Sequence, residues 1–289
     1  MDHSKTSDEP AGNRCLNCSN SFTGSYCNRC GEKILEPQEK TIRHFLEEFV
    51  QAITFADNKL WRTVKLLYTR PGVLPRKHME GLRKPFIAPL ALFFIVNLLY
   101  FFFQPVDSFN SYYSSQVKHQ KYSEWAAPVA KNQRVERGWT EEYFEQQYNL
   151  HSSNLSKLML ILLPVMFSFP LLLLFNSRKY YYIDHLAFAL SFIAFLFLTF
   201  FIVAPYLLSG IVLLINKLSG SNISLDINDG KITLAVLLLA AIYLSIAMRN
   251  FYQQAWWWLV PKALLLMVSF IVIMLLYRFI LFVVTVYTV

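Results

Sequence analysis

The sequence predicts an all-α integral membrane protein of about five transmembrane helices behind a minimal N-terminal zinc ribbon or knuckle. Three observations predict it. Of the 289 residues, 55% are hydrophobic, 16% aromatic and 16% charged, against roughly 25% charged in a soluble domain. The apolar residues are gathered into long runs, not spread as amphipathic stripes. All four cysteines fall near the amino terminus, as two CxxC pairs.

Residues 1–14 are polar and charged, and a disordered tail is expected there. With no apolar run at this end, no cleavable signal peptide is expected, and the first span should direct insertion. The ribbon, residues 15–33, contains Cys15-Leu16-Asn17-Cys18 and, after eight residues, Cys27-Asn28-Arg29-Cys30-Gly31. Two such pairs can close a tetrahedral shell, because each short turn aims two sulfurs and backbone amides at one ion. Gly31 permits the tight turn after the second pair. A unit this short can hardly fold without metal. Cys15, Cys18, Cys27 and Cys30 are therefore the expected ligands of one structural Zn2+, with rubredoxin-type iron or a redox dithiol as alternatives. Four thiolates saturate zinc, and cytosolic thiols stay reduced, which argues against disulfides. The knuckle carries only Arg14, Arg29 and Lys33, which argues against nucleic acid as a partner.

Residues 41–84 read as cytosolic, amphipathic, juxtamembrane helices. Ile42, Phe45, Leu46, Phe49, Val50 and Ile53 share one helical face, and Leu60, Trp61, Val64, Leu67 and Tyr68 share another before Pro71-Gly72 ends the second helix. Such faces suit a membrane surface, or the two helices pack on each other. Arg76, Lys77, Arg83 and Lys84 form a juxtamembrane basic cluster.

The transmembrane domain, 85–289, has spans at about 86–103, 158–175, 186–215, 232–248 and 263–287, with an extracytoplasmic segment at 104–157. Eighteen residues cover about 27 Å, enough for the hydrocarbon layer. Pro89, Pro164, Pro170 and Pro205 should cap or kink these helices. Residues 206–215 are too few to recross the bilayer, so 186–215 reads as one bent helix. The outer segment should form helices over the membrane, as a partner-binding cap or a passive linker.

The net charge of +8 follows the topology. Basic residues precede the first span, Arg178 and Lys179 fill the next short gap, and Arg249 and Lys262 flank the last. Segments 104–157 and 216–231 carry balanced charge. The bias places the amino terminus in the cytosol and the carboxyl terminus outside. Tyr180 to Tyr182 and Trp256 to Trp258 suit interfacial anchors on the inner side.

A possible intramembrane polar site comprises Asp184, His185 and Arg278. Asp184 alternatively serves as a helix-start acid, and Arg278 either snorkels to the outer headgroups or meets a buried partner. No nucleophile elbow, HExxH helix, phosphate loop or paired intramembrane carboxylates occur.

After residue 14 the chain resembles an uncharacterised bacterial family of zinc-ribbon, multi-span membrane proteins, defined only as a domain of unknown function. The likeness lies in the paired CxxC knuckle; in Arg70-Pro71-Gly72 with Gly81-Leu82-Arg83-Lys84-Pro85-Phe86 and Pro89; in Asp184-His185-Leu186-Ala187-Phe188-Ala189-Leu190; and in Tyr243 with Arg249-Asn250-Phe251-Tyr252-Gln253. The resemblance implies a bacterial inner-membrane location and zinc on the four cysteines, but no activity. Ser191 and Ile193 stand where relatives carry histidines, which weakens a proton or metal role for the third span. The expected function is a non-enzymatic scaffold or regulator whose ribbon and amphipathic helices bind a cytosolic protein against the lipid bilayer. The alternatives are a small-solute transporter or channel, and a membrane-bound enzyme acting on lipid or thiols.

Overall fold

The computed structural model describes residues 13–33, 59–103, 109, 112–219 and 230–289. The expected amino-terminal tail, except its last residues, and the first amphipathic helix, 41–54, lie outside the described residues. The described part is a two-stranded knuckle followed by helices. Strands β1 (Asn13–Arg14) and β2 (Ser21–Phe22) pair antiparallel, Asn13 opposite Phe22.

Helix α1 (Lys59–Thr69) buries Thr63 and Leu67, with Leu60 packed against the core. Its inward stripe is thus Leu60, Thr63, Val64 and Leu67, one helical face at spacings of three and four. Trp61 lies outside that stripe and is 78% exposed. Thr63 is buried because its hydroxyl serves twice, donating to the Lys59 carbonyl at 2.7 Å and accepting the Ile87 N–H at 2.9 Å.

A short helix that the sequence pattern does not announce, α2 (Val73–Glu80), lies between two left-handed glycines, Gly72 and Gly81. The Leu82 N–H returns to the Lys77 carbonyl and the Gly81 N–H to that of His78, satisfying the last turn. Gly72 is required by packing, since a Cβ there would lie 2.0 Å from the Ala247 carbonyl oxygen.

Helix α3 (Pro89–Phe103) starts at proline, which lacks the N–H a first turn cannot use. It packs along α8 (Tyr182–Leu196) and the π-helical turn that follows, Phe197–Val203, through Phe93 and Tyr100 against Phe197. The π turn leads into α9 (Ala204–Ser219) at Pro205. Proline cannot donate to the carbonyl four residues back and clashes with it, and a wider turn absorbs the mismatch. The Ala204 N–H accordingly bonds the Thr199 carbonyl, five residues back.

Beyond α3 the chain forms α4 (Tyr113–Lys118), α5 (Ser123–Glu136) and α6 (Glu141–Met159). Thr140 caps α6, its hydroxyl accepting the Tyr143 N–H, with Glu141 and Glu142 in the favourable first turn. These helices enclose a core of Tyr113, Ala126, Ala130, Phe144 and Tyr148 with Phe282, Val286 and Val289, the end of α11 (Trp256–Thr288). Helices α4 to α6 are therefore a folded cap on the carboxyl-terminal end of α11. Helix α6 continues into α7 (Leu162–Leu174) through a 48° bend. Pro164 denies the Leu160 carbonyl its usual donor, which accounts for the bend.

Among the described residues, three helical stretches can cross a membrane by length and composition: Tyr182–Leu218, Leu234–Tyr252 within α10 (Gly230–Tyr252), and Trp256–Thr288. The bent pair α6–α7 makes a fourth, and α3, apolar but only 15 residues, is the shorter element that a count of five would include. The expected bent third span corresponds to the 37-residue stretch Tyr182–Leu218.

Hydrogen bonds collect the polar gaps at one end of the bundle. Asn250 Nδ2 donates to the Pro71 carbonyl at 2.8 Å, Lys179 Nζ to Gln253 at 3.3 Å, and Lys262 Nζ to Gln254 at 2.9 Å. The Tyr180 hydroxyl donates to the Tyr252 carbonyl at 3.2 Å. The cap of α4 to α6 occupies the other end.

Candidate metal centre

The knuckle is two copies of one turn. In the first, the Cys15 carbonyl accepts the Ser19 N–H at 2.9 Å and the Cys15 N–H donates to the Asn20 carbonyl at 2.8 Å. In the second, Cys27, Gly31 and Glu32 repeat both bonds, each at 2.8 Å. Ser19 (φ 58°) and Gly31 (φ 69°) occupy the same left-handed place. The role of Gly31 follows from its residue type, whereas Ser19 hides an equivalent position behind a side chain.

The two turns bring the sulfurs together. Cys15 Sγ lies 3.5 Å from Cys30 Sγ and Cys18 Sγ 3.6 Å from Cys27 Sγ, and all four lie within 4.8 Å of one another. A tetrahedron with metal–sulfur bonds of about 2.3 Å has edges of about 3.8 Å. The residues present thus fit one metal ion, and the four cysteines can hold it. Apart from these cysteines the knuckle core contains only Phe22.

Polar groups tune the sulfurs. Burial opposes ionisation of Cys27, but the N–H groups of Cys30 and Arg29 and the thiols of Cys18 and Cys15 bring it down to about 6. Cys30 is lowered chiefly by the Glu32 N–H. At Cys18 the Asn20 N–H acts downward, yet burial and the thiols of Cys30, Cys27 and Cys15 push the group up to about 12.

Glu32, which no sequence motif marks, links the knuckle to the helical body. Its Oε1 accepts the N–H groups of Arg83 at 3.1 Å and Lys84 at 3.4 Å. The Lys84 ammonium lies over Gly31, 2.8 Å from where a Cβ would stand. Elsewhere in the basic cluster, Arg76 pairs with Glu80 at 2.8 Å and reaches the Asn250 carbonyl at 3.3 Å, and Lys77 lies 5.2 Å from the Phe86 ring centre.

The intramembrane polar residues do not converge. The Asp184 carboxylate accepts the Tyr181 N–H at 2.9 Å, holding the start of its own helix. His185 is fully buried, with Nδ1 2.7 Å from the Tyr252 hydroxyl. Arg278 stands 22 residues beyond Trp256, about 33 Å along α11. Its charge faces Tyr122, whose hydroxyl donates to Gln116 in the cap.

A helical bundle of membrane-spanning character carrying an N-terminal four-cysteine knuckle is the class these features define. Residues 57–101, which cover α1, α2 and most of α3, match the family described as Protein of unknown function (DUF3667). No curated protein and no solved structure matches the chain.

Proposed function

We propose that this protein is a non-enzymatic scaffold or regulator of the bacterial inner membrane, whose zinc-loaded ribbon and adjoining amphipathic segment hold a cytosolic protein partner at the bilayer. The observation that carries the reading is the closed set of four sulfurs within 4.8 Å of one another. A saturated shell makes a rigid platform, whereas a catalytic zinc keeps an open position. Zinc is the ion of choice because it favours tetrahedral thiolates without redox chemistry. Leu16 and Tyr26, 66% and 61% exposed, give the platform apolar contact points.

The amino terminus lies in the cytosol in this reading and the carboxyl terminus outside. Supporting it, the end of the bundle that gathers Arg76, Lys77, Lys179, Arg249 and Lys262 is the end that carries the knuckle. A transport path through Asp184, His185 and Arg278 has weaker support, because two of these groups stand far along the bundle from the third.

Metal analysis combined with crosslinked pull-down from the native membrane tests the reading. Zinc near one ion per chain is expected, together with a co-purifying protein that is lost in Cys15→Ser and Cys27→Ser variants while the spans stay folded. Unchanged interactions in variants lacking the metal would remove the proposal. Reporter fusions at the two termini test the orientation.

A further inference from the structure

We propose that the metal-loaded knuckle is a clamp on the elbow between α2 and α3, with the Glu32 carboxylate as the group that couples metal occupancy to the membrane body. The proposal rests on metal binding by the four cysteines and adds what that metal controls.

Glu32 belongs to two structures at once. Its carbonyl accepts the Cys27 N–H at 2.8 Å, so its main chain is fixed by the turn that holds the ion. Its side chain leaves the knuckle and takes the N–H groups of Arg83 and Lys84, and the residue is buried. A carboxylate accepting two successive main-chain donors forms charge-assisted bonds of the kind that cap helices. Here the capped segment is the approach to α3. Within it the Phe86 N–H bonds the Arg83 carbonyl at 3.2 Å, and the Ile87 N–H bonds Thr63 of α1. A restraint at Arg83 and Lys84 therefore acts on the start of α3.

The pseudo-symmetry of the two turns isolates this role. The first-turn counterpart of Glu32 is Asn20, whose side chain donates to Asn28 at 2.7 Å and stays inside the knuckle. The turn does not need its last residue to reach outward, yet Glu32 does. Charge acts in the same direction. A divalent ion on four thiolates leaves a net double negative charge, and the Lys84 ammonium lies over Gly31, next to the ligand Cys30. Because four sulfurs and Phe22 make up the knuckle core, removing the ion dissolves the turn that presents Glu32. Metal loading, or its loss by chelation, is in this way transmitted to the base of α3.

Hydrogen–deuterium exchange of the purified full-length protein in lipid nanodiscs, read over residues 82–88 with metal content measured in parallel, tests the clamp. Zinc removal by a chelator should speed exchange there by about tenfold or more, as the bonds from the Arg83 and Lys84 N–H groups to Glu32 are lost. Glu32→Ala should show the same increase with one zinc still bound, Glu32→Gln should remain near the parent protein because its amide oxygen still accepts, and Lys84→Glu should loosen the segment from the body side. Full protection in Glu32→Ala and Lys84→Glu with zinc bound would overturn the clamp and leave the metal centre standing. A protein that takes up no metal would overturn both.

Discussion

His185 Nδ1 lies 2.7 Å from the Tyr252 hydroxyl, and this buried contact joins the first turn of α8 to the last residue of α10. The Tyr252 ring also stacks on Phe175, centroids 3.7 Å apart, so three segments meet there. Tyr252→Phe should keep the stack and leave the imidazole without that partner, costing about 1–3 kcal/mol. Replacing both residues by phenylalanine should cost less than the two single changes combined, since no stranded polar group remains. Thermal unfolding in detergent measures all three variants, and strictly additive losses would show that the pair does not act as a unit.

What the sequence made legible here was chemistry with fixed local spacing. Two CxxC pairs can close only a few ways, so the four-sulfur cluster followed from residue types alone. Asp184 was readable for the same reason, as an acid at a helix start. Helix α2 was not readable, because eight residues with a proline and two cations carry no apolar stripe, and its place depends on Gly72 meeting α10. Nor was Glu32, since nothing in its neighbours indicates that its carboxylate reaches Arg83 and Lys84, about fifty residues on. The inward face of α1 was displaced for a related reason. Thr63 is polar, yet it is buried because Ile87 supplies its donor.

Gly72 occupies a tightly restricted backbone position. With φ at 76° and the Ala247 carbonyl oxygen 2.0 Å from an added Cβ, Gly72→Ala must push α2 away from α10. A loss of several kcal/mol is expected, from overpacking added to left-handed strain. Gly138→Ala is the control, because its φ is 67° but nothing stands within 4 Å. It should cost only about 1 kcal/mol. Equal losses in the two variants would show that α2 does not bear on α10 as described.

Ser19 holds the same left-handed place in the first cysteine turn that Gly31 holds in the second. Ser19→Gly should therefore preserve one metal ion per chain and strengthen metal retention slightly, by up to about 1 kcal/mol. Ser19→Val, β-branched and unsuited to positive φ, should weaken it. Competition with a chromophoric chelator ranks the three proteins, and a valine variant as tight as the parent would remove the argument.

The thiols also set how metal retention depends on pH. Cys27 ionises near 6, below its ordinary 9.0. A lowered folded-state value stabilises the folded knuckle fully above the ordinary value, progressively less from there down to about 6, and not at all below it. Cys18, raised to about 12, still carries a proton at neutral pH, and the ion must displace it. Metal uptake should therefore release protons at pH 7, and affinity should fall on acidification. Once the pH passes below about 6, Cys27 is protonated as well, so one further proton is released per ion bound and the slope of log affinity against pH should steepen by about one. Chelator competition from pH 5 to 8 measures that slope. A profile with no change of slope near 6 would mean that Cys27 is not the thiolate held ready for the metal.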